Sequence, residues 1–307
     1  MDRVRRQLGL TDAWLRERLR RPVTVAVLDS GIERHPDLED SILAFRDFTS
    51  FRKEPYDDYG HGTHVCGILC GDGRLSGGRY AGICPKIRLM VGKVLDRKGD
   101  GSAEEMIEGM EWVLEEKERL DVRLLNVSVG IAQLRSNSKQ GKLRMMMERL
   151  YDAGILTVCA AGNKGPMPGT LSFLGEGEWA VSVGCHDGEY FKGDPYRCET
   201  YSGRGKRSAI PRKPEVVAPG TRIKSCSAYW QRGYPGAAYE ARSGTSMAAP
   251  IVTGCLALAI QACPDASPRR LKKVLNGTAC DLGEPWNQQG WGMVCPTAMV
   301  ERLLDET

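Results

Sequence analysis

The first residues do not read as an export signal. Such a signal needs an apolar stretch behind a short basic start. Here Arg3, Arg5, Arg6, Arg16, Arg18, Arg20 and Arg21 interrupt everything apolar. The apolar run Ile251–Ala262 is too short to cross a bilayer and is broken by Gly254. These two absences predict a soluble, cytoplasmic protein with no membrane partner. Charge of one sign is not in large excess either. A net charge of +4 is a mild bias, not the footprint of a dedicated nucleic-acid binder, so no nucleic-acid partner is expected. The arginines near the N-terminus read as the solvated face of a short helix over Thr11–Leu19. The basic stretch Arg204–Lys213, with Gly205 and Pro211 inside it, reads as an exposed loop. Internal repeats and low-complexity linkers are missing as well, which argues against a second domain. One domain over residues 1–307 is expected, with 1–20 as a helical lead-in, and 307 residues suffice for one large core.

Zinc-ligand spacing is also absent. Cys66 and Cys70 lie four apart, but no other close Cys/His pair has the right separation, so no metal site is expected. The 11 cysteines are odd in number, and several sit inside apolar runs, such as Cys159 in Thr157–Ala160 and Cys255 beside Leu256. They read as small core residues kept reduced by their compartment. Two consequences stay open. Modification of Cys66, Cys70 or Cys159 disturbs the ground under neighbouring functional groups, or these thiols lie too deep to react.

What is present is an alternation. Val23–Leu28, Leu89–Val94, Val122–Val129, Ile155–Ala160 and Trp179–Gly184 are short apolar runs, each reading as a strand buried on both faces. Between them Ala103–Leu120 carries Met106, Ile107, Met110, Val113 and Leu114 at helical spacing, and Lys142–Tyr151 is a second such helix. The fold class that follows is α/β, with a mostly parallel sheet and helices on both faces.

Three segments carry polar residues that such a scaffold does not need. Asp29 ends the first buried run, where open α/β sheets place functional groups. By itself it is a turn aspartate before Gly31. His61 lies between glycines in Gly60–Gly67, which allow close backbone approach. His61 and His64 alone could be a metal pair, but His64 reads better as a core histidine. Ser246 follows Gly244 and precedes the apolar run that ends at Ala262, near a helix N-terminus whose free N–H groups favour negative charge. Pro250 is expected in the first turn of that helix. An acid, a histidine and a serine in such settings are the ingredients of nucleophilic acyl transfer.

Jointly the segments resemble a known family. Asp29-Ser30-Gly31, His61-Gly62-Thr63-His64 and Gly244-Thr245-Ser246-Met247-Ala248 are similar to the three motifs of subtilisin-like serine peptidases, in that family's chain order. Ala160–Asn163, Leu125–Gly130 and Lys213–Gly220 extend the resemblance over roughly residues 10–300. The spacing in Tyr56–His64 and Ile107–Trp112 resembles the intracellular AprX-type branch. The resemblance implies a subtilisin-like fold and a serine endopeptidase. Ser246 Oγ would attack the scissile carbonyl, His61 would carry the proton, and Asp29 would hold the His61 tautomer. The Ser246 N–H and the Asn163 amide would hold the oxyanion. It further implies a polypeptide substrate added as a strand between Ser128, Val129 and Gly130 on one side and Asp100, Gly101 and Ser102 on the other. Ala160, Ala161 and Gly162 would wall the first specificity pocket, with Lys164 at its rim, and Ala103 and Met106 would line a second.

Two departures from the family matter. No propeptide is evident ahead of Asp29. The loop Gly71–Arg79, where secreted relatives bind calcium, has one acid and two arginines, poor material for an oxygen-liganded cation. No cofactor is expected for catalysis, and structural calcium is unsupported by the sequence. Three functions remain: a broad endopeptidase acting on extended intracellular polypeptides, a narrow processing protease, and a non-catalytic binding module on a protease fold.

Overall fold

Short β-branched and aliphatic runs without polar alternation suit strands covered on both faces. The computed structural model places them there; it describes all residues except 19–20, 130–136, 189–196, 209, 234–235 and 307. Two short helices, α1 (Asp2–Gln7) and α2 (Asp12–Arg18), lead into β1 (Val23–Asp29), β2 (Ile42–Asp47) and helix α3 (His61–Cys70). Then come β3 (Ile87–Lys93), α4 (Ala103–Leu120), β4 (Val122–Val127), α5 (Asn137–Asp152), β5 (Leu156–Ala160), β6 (Ala180–His186) and β7 (Val216–Pro219). An antiparallel ribbon of β8 (Ile223–Cys226) and β9 (Tyr239–Arg242) precedes α6 (Thr245–Ala262), α7 (Pro268–Gly277), α8 (Trp286–Gln289) and α9 (Pro296–Asp305).

Strands β1 to β7 form one parallel sheet in the order β2-β3-β1-β4-β5-β6-β7. Alternate residues of β1 serve opposite cores. Val25 and Val27 pack in the core built with α3 and α6, whereas Ala26 and Leu28 pack in the one built with α4 and α5. Strand order reverses around β1, which has β3 on one side and β4 on the other. Crevices for ligands form at such a point, outside the carboxyl ends of the strands.

Helix α4 matches its expected span because its caps are written locally. Ser102 accepts from the Glu105 N–H, and Glu105 returns a bond to the Ser102 N–H, a capping box. Other elements differ from expectation. Strand β2 is an edge strand and only half-buried, so its composition lacks a continuous apolar run. Helix α5 starts at Asn137, earlier than its apolar periodicity, because its first turn is polar and exposed. Pro250 is not in the first turn of α6. It is the sixth helical residue, so the Ser246 carbonyl finds no N–H at position 250. Helix α6 is the one described helix long and apolar enough to cross a membrane, and 89% of that window is buried inside the protein.

The cysteines lie where the sequence suggested. Nine are buried, Cys295 is half-buried and Cys280 is exposed, all as free thiols. Burial pushes the Cys66 thiol far up and Cys159 up to about 12, so neither presents a thiolate. Ellman's reagent on the folded protein is therefore expected to titrate Cys280 quickly and Cys295 slowly, with the other nine reacting only after unfolding. Modification of Cys66 or Cys159 in the native state, located by mass spectrometry, would contradict this.

Candidate active site

Asp29 is the last residue of β1 and fully buried. Its Oδ1 accepts from the Ser30 N–H at 2.8 Å and lies 2.7 Å from His61 Nδ1. A carboxylate only accepts, so Nδ1 carries the proton and Nε2 of the neutral ring is left as a base. His61 is the first residue of α3 and projects with 14% of its side chain exposed. The approach of these two elements needs glycine twice. A Cβ on Gly62 would lie 2.1 Å from the Gly31 carbonyl oxygen, and one on Gly31, at φ 113°, would lie 2.1 Å from that of Tyr56.

Ser246 is the second residue of α6 and partly exposed. Among the described residues its Oγ makes no hydrogen bond to His61, and no acceptor takes its backbone N–H. Such bonds commonly tighten only once substrate binds. Asn163 follows β5. Its Oδ1 accepts from both the N–H (3.1 Å) and the hydroxyl (3.0 Å) of Thr245. That fixes the amide with Nδ2 as the unused end. Thr245 Oγ1 in turn accepts from the Gly162 N–H at 3.1 Å. A Cβ on Gly244 would sit 3.3 Å from Asn163 Nδ2 and 3.8 Å from Ser246 N, so any larger residue would intrude between two free donors. Two N–H donors converging at a helix N-terminus suit an oxyanion.

The expected substrate-binding residues are only partly confluent. Ser128 follows β4 and is buried, with its hydroxyl accepting from Asn126, whose other amide atom accepts from Thr253 of α6. Val129 is half-buried, and Gly130 lies outside the described residues. Opposite, the Asp100 N–H is used by Asp96 Oδ1 and the Ser102 N–H by Glu105, which leaves Gly101 as the member of that trio with a free N–H. Ala160, Ala161 and Gly162 form a pinned wall. The Ala160 carbonyl accepts from Ser172 Oγ, the Ala161 N–H reaches Val183, and the Gly162 carbonyl accepts from Gly203. Lys164 is exposed just beyond them, while Ala103 and Met106 are buried in the core beside α4.

His64 is a core histidine, as expected. Its Nε2 reaches the carbonyls of Ile223 and Glu240, tying α3 to the β8–β9 ribbon, and burial lowers its pKa to about 3. Another cluster, His35, Asp37 and Cys226, has ligand atoms within 4.8 Å of one another. Its polar atoms are already engaged: Asp37 N–H donates to His35 Nδ1, His35 Nε2 donates to the Ala238 carbonyl, and Tyr239 donates to Asp37 at 2.6 Å. Calcium fits the Gly71–Arg79 loop no better. The one acid there, Asp72, spends both oxygens on Arg74, and Asp37 nearby accepts from the Leu75 N–H.

Known proteins similar to this chain fall in one family. The sequence profile described as the subtilase family matches residues 20–292. The chain is 37% identical over 285 residues to serine protease AprX of Bacillus subtilis (strain 168), covering 89% of this chain and 64% of that protein. It is 33% identical to the thermostable alkaline protease of Halalkalibacterium halodurans, covering 85% of this chain and 63% of that one. The chain thus spans under two thirds of the length of these two relatives. Subtilisin Savinase of Lederbergia lenta is 32% identical, with 89% of this chain and 88% of that protein aligned. Among solved structures, sphericase superposes with a TM-score of 0.76 at 26% identity, covering 89% of this chain and 91% of its own. S41 psychrophilic protease gives 0.73 at 27%, with the same coverage.

Of the four histidines, only His61 is raised above the ordinary imidazole value. Burial pulls it down, but the charge and hydrogen bond of Asp29 together pull it further up, against the opposing Arg242. A proton NMR titration should therefore show His61 protonating above the usual range while His64 and His186 stay neutral until about pH 3. Arg242→Gln should move the His61 midpoint further up. A His61 midpoint below that of a free imidazole would refute the assignment.

Proposed function

This chain belongs to the subtilase family, and we propose that it is a serine endopeptidase in which Asp29, His61 and Ser246 form the catalytic triad. The observation that carries the reading is the 2.7 Å bond from His61 Nδ1 to the buried Asp29, which leaves Nε2 as the base. In this reading Nε2 takes the Ser246 proton as Oγ attacks the carbonyl, and Asp29 stabilises the imidazolium that results. The tetrahedral oxygen is received by the Ser246 N–H and Asn163 Nδ2. Collapse expels the amine, which takes the proton from His61, and water then releases the acyl group from Ser246 by the reverse sequence. Nucleophile, base and oxyanion donors all come from this chain, so the reaction consumes no cofactor.

The substrate is a polypeptide bound in extended form, along the segment at Ser128 and the Gly101 turn, with its side chain against Ala160–Gly162. Backbone pairing reads few side chains, which favours broad specificity for unfolded segments. The eleven free thiols suit a reducing compartment, and we place the activity inside the cell on that ground. AprX, with which the chain shares 37% identity, is named a serine protease.

Labelling by a fluorophosphonate tests the class: wild-type protein should be modified at Ser246, and an inert protein would favour a binding module. Ser246→Ala should fold normally and lose peptide hydrolysis by at least about 1000-fold. Asn163→Ala should lower kcat by about 100-fold or more with little change in KM, because its bond forms mainly with the oxyanion. A loss confined to KM would remove Asn163 from that role.

A further inference from the structure

Beyond the triad, the setting of His61 against Asp29 depends on a buried carboxylate that takes no part in the proposed chemistry. Asp57 lies in the loop before α3 and is 4% exposed. Its Oδ1 accepts from Ser30 Oγ at 2.8 Å, from the Gly60 N–H at 2.7 Å and from the Tyr59 N–H at 3.3 Å. Its Oδ2 accepts from the N–H and hydroxyl of Thr63, at 2.8 and 2.7 Å. Gly60 precedes His61 and Thr63 lies two residues after it, and their N–H groups belong to the open N-terminus of α3, which has no side-chain cap of its own at Gly60. Asp57 is that cap, supplied from outside the helix.

The same carboxylate reaches the other half of the pair. Ser30 follows Asp29 directly. Its hydroxyl donates to Asp57 and accepts from the Gly62 N–H at 2.9 Å, while its backbone N–H donates to Asp29 Oδ1. Lys93, 1% exposed, closes the arrangement by donating to the Ser30 carbonyl at 2.8 Å and to Asp58 at 2.7 Å. Gly60 before His61, Thr63 two residues after it and Ser30 beside Asp29 are thus tied to one anion. A negative charge is favoured at a helix N-terminus, and a buried carboxylate with five donors is fully satisfied.

We propose that Asp57 is a positioning residue, which caps the His61 helix and holds it through Ser30 against the Asp29 turn. This rests on the protease reading given above and adds a determinant of rate to it. A misplacement of about 1 Å in a proton-transferring group can cost about 100-fold in rate. Asp57 is also one of the charges that face His61, with Asp29 from β1 and Arg242 from β9. His64 on the same helix and the Tyr59 ring also lie beside His61, Glu33 and Cys66 lie near Asp57, and its neighbour Asp58 is paired with Lys93.

Asp57→Asn tests this, because the amide keeps the shape but turns one acceptor oxygen into a donor facing N–H groups. In folded variant, checked by thermal melting and a dispersed NMR spectrum, kcat and the rate of fluorophosphonate labelling should fall by about 10- to 100-fold with KM nearly unchanged. The acid limb of kcat/KM, and the His61 midpoint by NMR, should move to lower pH because a facing negative charge is gone. A folded variant with wild-type kcat and an unmoved His61 titration overturns the proposal. If Asp57→Asn does not fold, Ser30→Ala decides, since it removes only the linking hydroxyl: a smaller loss of kcat at unchanged KM supports positioning, and wild-type kcat and pH profile overturn it. If the wild-type protein neither labels nor cleaves, the protease reading fails. The His61 titration and the low-field Nδ1–H resonance of wild type and variant then test the positioning alone, an unmoved pair overturning it.

Discussion

A hydrogen bond of 2.7 Å between a fully buried carboxylate and the first residue of a helix is the constraint around which this protein is arranged. Taking a carboxylate out of water is costly unless donors replace the water. Asp29 receives two such donors, the Ser30 N–H and His61 Nδ1, on one oxygen. The bond can form only if α3 comes within backbone contact of the turn after β1, which is why Gly62 leaves no room for a Cβ against Gly31, nor Gly31 against Tyr56. It also requires the helix end to be fixed, and Asp57, Ser30 and Lys93 do this with polar groups that are themselves satisfied.

The sheet determines where the remaining groups arrive. Asp29, Ser128 and Asn163 come from the carboxyl ends of β1, β4 and β5, or from just beyond them, so parallel order alone brings them to one edge. Ser246 comes from α6, which threads one core and is apolar almost all round. Polar bonds set the rotation of these parts: Thr253 to Asn126 links α6 to β4, and Thr245 to Asn163 links its first turn to the loop after β5. Against β6, the strand next to β5, Glu215 is buried with Ser182, Lys213 and Lys272, joining β6, β7 and α7. Burial pushes its carboxyl up, but the two lysines hold it below the usual range. Breaking such a network by removing one partner strands a buried charge, whereas the intact cluster itself is weak ground for stability.

Hydrophobic period and local chemistry were legible along the chain. The buried strands, the α4 helix, the buried cysteines and the three polar segments each have a signal within a few residues, because hydrophobic period and side-chain type act at short range. β2 was not legible, since an edge strand half in solvent carries no continuous apolar run. Nor was the true place of Pro250, because the start of α6 is set by Asn163, which receives the Thr245 N–H across the site.

The sequence by itself therefore determined the fold class and singled out the residues proposed to carry the chemistry. Only the tertiary structure decided what those residues do to one another. That Nδ1 of His61 and not Nε2 meets Asp29, that Asn163 turns its Nδ2 end free, and that Asp100 and Ser102 spend their N–H groups internally all depend on partners brought together from distant positions. Asp57 is the clearest case. In the sequence it is one of two acids in a loop; in the fold it accepts five hydrogen bonds, because burial beside an open helix end leaves a carboxylate no other way to be solvated.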